Sequence, residues 1–305
     1  MRRCLRVSDG DDVLVIVDER TRAIGEALRR EASAAGGDAV LTVMDERATD
    51  GTEPPAPIAA ALAACDVFIA PTTRSLSHTT ARKQASDAGA RGATMPGVTE
   101  DMLARVMAVE FDRMAARSRA IAALLSDGES ARITCPLGTD LTLALRSREG
   151  VADDGDLTSP GAFGNLPCGE AFISPVGGDG VFFPASLAPL GLTEEEAKLT
   201  VKNGRIVAAE GGLGPGFLAR LTAHGDDGAN LAELGVGTND EATLTGNVLE
   251  DEKIMGTIHV AFGASAGIGG TVSVPIHLDA VVLDATLEID GRRVLETGRF
   301  VLDTA

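Results

Sequence analysis

Two histidines lie inside strand-like apolar runs in the C-terminal half of the chain. One is His259, in Thr257-Ile258-His259-Val260-Ala261-Phe262. The other is His277, in Val274-Pro275-Ile276-His277-Leu278-Asp279-Ala280-Val281-Val282. Side chains along a strand alternate between its faces, so residues two apart share one. His277 and Asp279 therefore point the same way, while Ile276 and Leu278 turn to the other face and into a core. An imidazole beside a carboxylate on an apolar strand has two explanations. It belongs to a metal site, because a buried carboxylate is costly unless paired or coordinated, or it is a hydrogen-bonded pair with a structural task.

More carboxylates stand in apolar or glycine-rich surroundings. Glu170 follows Asn165-Leu166-Pro167-Cys168-Gly169, Glu233 interrupts Asn230-Leu231-Ala232-Glu233-Leu234-Gly235-Val236-Gly237-Thr238-Asn239, and Glu252 lies in Leu249-Glu250-Asp251-Glu252-Lys253, just ahead of the His259 strand. Any one of them alone reads as a solvent-exposed acid. Together Glu170, Glu233, Glu252 and Asp279 bring four negative charges to two neutral imidazoles. Two divalent cations neutralise that set, one leaves two charges over, and none leaves like-charge repulsion. A mixed oxygen and nitrogen donor set suits Zn, Mn, Co or Fe(II).

These four segments, in this order, resemble the aminopeptidase T family of metallo-aminopeptidases. The likeness is strong over residues 160–282 and general over the first 130. It implies a dimeric architecture of an α/β part and a metal-binding part. It also implies a two-metal centre (Zn, Co or Mn) held by Glu170, Glu233, His259, His277 and Asp279, with Glu252 a further ligand. The activity implied is removal of an N-terminal residue from a small peptide by a metal-activated water, with Glu170 or Glu252 moving the proton to the leaving amine. The resemblance extends to 2,5-dihydroxypyridine 5,6-dioxygenase, a ring-opening enzyme that uses one Fe(II). In that alternative His259, His277 and Asp279 form the two-histidine, one-carboxylate triad of non-haem iron oxygenases. A second alternative is a metal-binding protein without catalysis. One departure separates the first two. The peptidases place a tyrosine seven residues after the first metal histidine; here that residue is Ala266, and the chain has no tyrosine.

The elements that must position these residues fall into two patterns. The first third alternates apolar strands with amphipathic helices: strands at 13–17, 39–43, 67–70 and near 93, and helices at 20–35, 58–64 and 79–88. Such alternation predicts a parallel sheet with helices on its faces. No glycine-rich phosphate loop follows the first strand, where Asp18-Glu19-Arg20 stands instead. A helical stretch at 100–125 then leads into short strands and turns. Asn203-Gly204 and Asp290-Gly291 each mark a two-residue hairpin, residues 151–164 read as loop, and Glu194-Glu195-Glu196 reads as a helix start. The expected architecture is an α/β domain over 1–128 with a mainly parallel sheet. An α+β metal-binding catalytic domain with a largely antiparallel sheet follows over 129–305.

Composition narrows the partners. A net charge of −18 repels nucleic acid. No run of apolar residues is long enough to span a membrane, and none of signal-peptide length follows Met1. Four widely spaced cysteines suit a reducing compartment, so the expected setting is cytoplasmic. The expected partners are a small peptide or other small molecule and a second copy of the chain. His224, flanked by glycine and aspartate, reads as a surface residue.

Overall fold

The computed structural model describes residues 1–301. The chain forms two compact units, Met1–Met107 with Gly155–Cys168, and Ala108–Asp154 with Gly169–Ala305. No helix among the described residues is long and apolar enough to cross a membrane.

The first unit carries a five-stranded parallel sheet in the order Asp38–Val43, Asp12–Val17, Val67–Ala70, Arg91–Thr94, Phe163–Asn165. Val13 to Val17 are all buried, as an uninterrupted apolar run between two covered faces requires. The helices Arg22–Ala34, Ala56–Leu62 and Thr80–Asp87 follow the strands at the expected places.

The second unit pairs two largely antiparallel sheets. One has eight strands, in the order Arg205–Glu210, Lys198–Lys202, Gly177–Phe182, Asp140–Ala144, Ser130–Thr134, Thr286–Ile289, Arg292–Glu296, Arg299–Phe300. The other has seven, in the order Gly191–Leu192, Ser186–Leu187, His277–Val282, Ile258–Gly263, Leu231–Gly237, Glu170–Ile173, Val151–Asp153. A single core joins them. Ile133, Leu141, Leu143, Leu199 and Leu287 from the first meet Ile173, Leu234, Val236, Val260 and Phe262 from the second. At about 25 cal/mol per Å² of apolar surface removed from water, this aliphatic layer is what ties the sheets together. Both hairpins form at their Asn-Gly and Asp-Gly turns, with Asn203 and Asp290 at positive φ.

Four expectations differ from the structure. The boundary expected near 128 is displaced, because Ile121, Ala122 and Leu125 of the helix Phe111–Asp127 belong to the core of the second unit. The helical stretch at 100–125 is two helices, Glu100–Val106 and Phe111–Asp127. The segment read as loop at 151–164 contributes the strand Val151–Asp153 to one sheet and, at its end, Phe163–Asn165 to another. Glu194 to Glu196 form no helix; they lead into the strand Lys198–Lys202.

Candidate metal centre

One face of the seven-stranded sheet lies in the core, so its strands must present a second face. Ala171 and Ile173, Leu234 and Val236, Ile258, Val260 and Phe262, and Ala280 and Val282 are core residues. Alternation turns Glu170, Glu233, His259, His277 and Asp279 to the opposite side. The strand register then interleaves them with residues that have little or no side chain. Gly235 pairs with His259, Gly237 with Glu170, Gly263 with His277, and Ala261 stands between Glu233 and Asp279. The polar groups therefore project from a floor of glycine and alanine.

Glu233 reaches this face through an irregularity. Leu231 is a core residue, and strict alternation puts Leu231 and Glu233 on the same side. The pairing with Ile258–Gly263 shifts register between Leu231 and Glu233. A β-bulge of this kind re-aims the following side chains. Leu231 stays in the core and Glu233 faces the other polar groups.

The six candidate ligands converge. His259 Nε2 lies 3.2 Å from Glu170 Oε2 and 3.3 Å from Glu233 Oε1. His277 Nε2 lies 3.3 Å from Glu233 Oε2 and 3.6 Å from Asp279 Oδ1, so Glu233 spans both imidazoles. Glu252, His259 and Asp279 offer ligand atoms within 4.8 Å of one another, as do Glu170, Glu233 and His259. His277 Nδ1 lies 2.8 Å from the Ala264 carbonyl. A carbonyl only accepts, so Nδ1 is the donor, and Nε2 is left bare in the neutral ring. His224 lies elsewhere and is exposed.

Three participants carry no clear signal in the sequence. Gly235 leaves the space the His259 ring occupies, since a Cβ there would overlap Nε2, Cε1 and Cδ2. Lys253 is 1% exposed and donates to Glu170 Oε1 at 2.5 Å and Glu252 Oε1 at 2.7 Å. Asp153, paired across strands with Glu170, has an oxygen 3.7 Å from the same ammonium. Lys253 follows two acids and looks like a solvated residue; Asp153 sits in the segment that reads as loop.

The electrostatics of this cluster favour positive charge. Burial pushes the Asp153 carboxyl up to about 7 against the attraction of Lys253. Burial, with Glu170 and Asp279 nearby, takes Glu252 up to about 8. Burial alone would discharge the imidazoles, but the surrounding carboxylates hold His259 and His277 protonated well above the ordinary histidine value. Glu233, despite burial, is held below the usual carboxylate range by hydrogen bonds from both rings. A divalent ion supplies the charge those protons bring. The residues fit one: Glu170 Oε2 is buried without a hydrogen-bond partner among the described residues, His277 presents Nε2, and the donors mix oxygen and nitrogen.

Comparison with known proteins bears on what such a centre serves. The NicX family model, described as 2,5-dihydroxypyridine 5,6-dioxygenase, matches residues 2–302. The chain belongs to this family. Among solved structures, 2,5-dihydroxypyridine dioxygenase from Pseudomonas putida KT2440 superposes with a TM-score of 0.83 at 18% identity, covering 98% of this chain and 94% of the other. Wild-type AmpT from Thermus thermophilus superposes with a TM-score of 0.71 at 19% identity, covering 99% and 97%. No curated protein matches the chain. Both neighbours share the fold. The expected aminopeptidase T membership gives way to the 2,5-dihydroxypyridine 5,6-dioxygenase family, with AmpT a structural relative.

Proposed function

We propose that this protein is a metal-dependent dioxygenase that opens the ring of a dihydroxylated nitrogen heteroaromatic, of which 2,5-dihydroxypyridine is the first candidate. The observation that carries the reading is the family match over residues 2–302, on a chain where Asp279 lies 3.6 Å from His277 and within 4.8 Å of His259, and Glu233 spans both imidazoles. The family match favours ring opening over peptide hydrolysis.

His259, His277 and Asp279 would hold one Fe(II), with Glu233 between the two rings. The metal, when bound, supplies the redox chemistry through which an electron-rich dihydroxy ring and dioxygen react. The residues of the chain do the rest. Ala264 sets the His277 tautomer through its carbonyl. Gly235, by lacking a side chain, leaves the space in which the His259 ring sits. Glu170 Oε2, buried beside His259 Nε2 at 3.2 Å, accepts the proton of a substrate hydroxyl. Glu252, within reach of His259 and Asp279, is the second carboxylate available for that transfer. The extra glutamates, idle in a bare three-ligand site, thus have a task.

The test is oxygen uptake. Protein loaded anaerobically with Fe(II) is expected to consume dioxygen with 2,5-dihydroxypyridine and to bleach its ring absorbance. No uptake with that substrate or related dihydroxypyridines, together with leucine-anilide hydrolysis in Zn, Co or Mn, would return the reading to the hydrolase.

A further inference from the structure

The proposed ring opening uses the carboxylates and imidazoles, and the buried ammonium of Lys253 has no part in it. Lys253 directly follows Glu252 and the short helix Val248–Asp251, whose placement is tightly determined. Asn247 caps it by accepting from Leu249 N–H, and Asp251 accepts from Ser186 Oγ and Thr245 N–H, both at 2.8 Å. Lys253 is then pinned by its own backbone, its N–H donating to Glu250 O and its carbonyl accepting from Asn239 N–H, both at 2.9 Å. Its side chain has nowhere to go but among acids. Nζ has three hydrogens and three carboxylates around it, Glu170 at 2.5 Å, Glu252 at 2.7 Å and Asp153 at 3.7 Å.

The cluster holds two overlapping ligand groups, Glu170–Glu233–His259 and Glu252–His259–Asp279. Glu170 stands in one of these groups and Glu252 in the other. Each of these residues already gives one oxygen to the ammonium. For Glu170 the division is explicit: Oε1 accepts from Lys253, and Oε2 lies beside His259 Nε2.

We propose that Lys253 is a positioning residue that stands in for a second divalent cation. It restricts the pocket to one metal ion and holds Glu170 and Glu252 with one oxygen each turned toward it. The proposal rests on the cluster being a metal centre and does not depend on the ring-opening activity. It replaces the two-metal expectation, in which the acids were counted without the lysine that neutralises part of them.

The experiment uses Mn(II) as probe, with bound metal counted per chain and the spin state followed by electron paramagnetic resonance. Wild-type protein is expected to hold one uncoupled Mn(II). Lys253→Met, close in length and uncharged, is expected to take up a second ion and show an exchange-coupled pair, or to bind its single ion at least tenfold more weakly as Glu170 and Glu252 drift. Lys253→Arg is expected to restore a single, uncoupled ion. Two ions in the wild type would overturn the proposal whether or not the methionine variant folds. One ion in the methionine variant at unchanged affinity would also overturn it. No ion in the wild type would refute the metal centre itself, and this proposal with it.

Discussion

Gly235 lies opposite His259 in the central strand pair, and the side chain it lacks is the space the imidazole fills. The strand Leu231–Gly237 is hydrogen-bonded on both sides, to Ile258–Gly263 and Glu170–Ile173, so its backbone cannot retreat. Gly235→Ala is therefore expected to push the His259 ring out of place. Overpacking of this kind costs about 1–3 kcal/mol, and misplacing a ligand lowers metal affinity by roughly 10–100-fold, as loss of an orienting partner does. Calorimetric titration with Zn(II) or Mn(II), alongside thermal unfolding, checks both. Wild-type affinity in the alanine variant would show that His259 does not bind metal.

Removing a ligand is a more direct test. His277→Ala and Glu233→Ala are each expected to lose most bound metal after dialysis while keeping the circular dichroism of the folded sheets. Both side chains project away from the shared core, so neither leaves a hole in it. Full occupancy in both variants would refute the site.

Chelation should act on stability as well as activity. A pocket with five carboxylates around one lysine and two histidines gains from a divalent ion. An ion present at 100 times its dissociation constant stabilises the folded state by about 2.7 kcal/mol. Treatment with a chelator is expected to lower the melting temperature, and returning Fe(II) or Mn(II) should restore it. A melting temperature indifferent to metal would mean that the cluster does not bind one in the folded state.

Peptidase activity is expected to be absent. Where the resembled peptidases carry a tyrosine, this chain has Ala266, exposed on a short 3₁₀ turn, Ala266–Ile268. The neighbouring Ser265 is buried, with its hydroxyl accepting from Val272 N–H. Loss of one oxyanion donor typically costs about 10²–10³ in turnover. Leucine-anilide turnover at the rate of a true aminopeptidase, with any of Zn, Co or Mn, would contradict this.

Away from the centre, Asp11 predicts an acid-dependent contribution to stability. Burial raises its pKa, but hydrogen bonds from Arg91 at 2.7 Å and from Ser8 N–H at 2.8 Å outweigh this and hold the carboxyl below its ordinary value. A carboxyl depressed in the folded state stabilises it above the unfolded value of about 3.9. That contribution is lost as pH falls through the folded value. Asp11→Asn is expected to be less stable than the wild type at neutral pH, with the difference closing toward acid. A difference that stays constant to the acid limit would mean that the charge of Asp11 contributes nothing.

The alternating strands and helices of the first third were legible because their signals are local: Val13 to Val17 form one apolar run, and glycine or proline punctuates the helices. The shared side of His277 and Asp279 was legible for the same reason, since two residues of one strand need no partner to define a face. The hairpins at Asn203-Gly204 and Asp290-Gly291 are equally local. Even the donor chemistry, two imidazoles and several acids in apolar or glycine-rich surroundings, was visible in residue types alone.

What only the tertiary structure decided depends on pairing between distant segments. Glu233 faces His259 because the register slips after Leu231, and that slip is a property of two strands together. Asp153 joins the cluster because a segment that reads as loop pairs with Glu170–Ile173. Lys253 looks solvated beside Glu252, and its burial follows from the helix before it, held by Ser186, and from the Asn239 N–H that holds its own carbonyl. Periodicity reports which way a side chain points from its own strand. It cannot report which charges the folded chain encloses together, because that depends on segments far apart in the sequence.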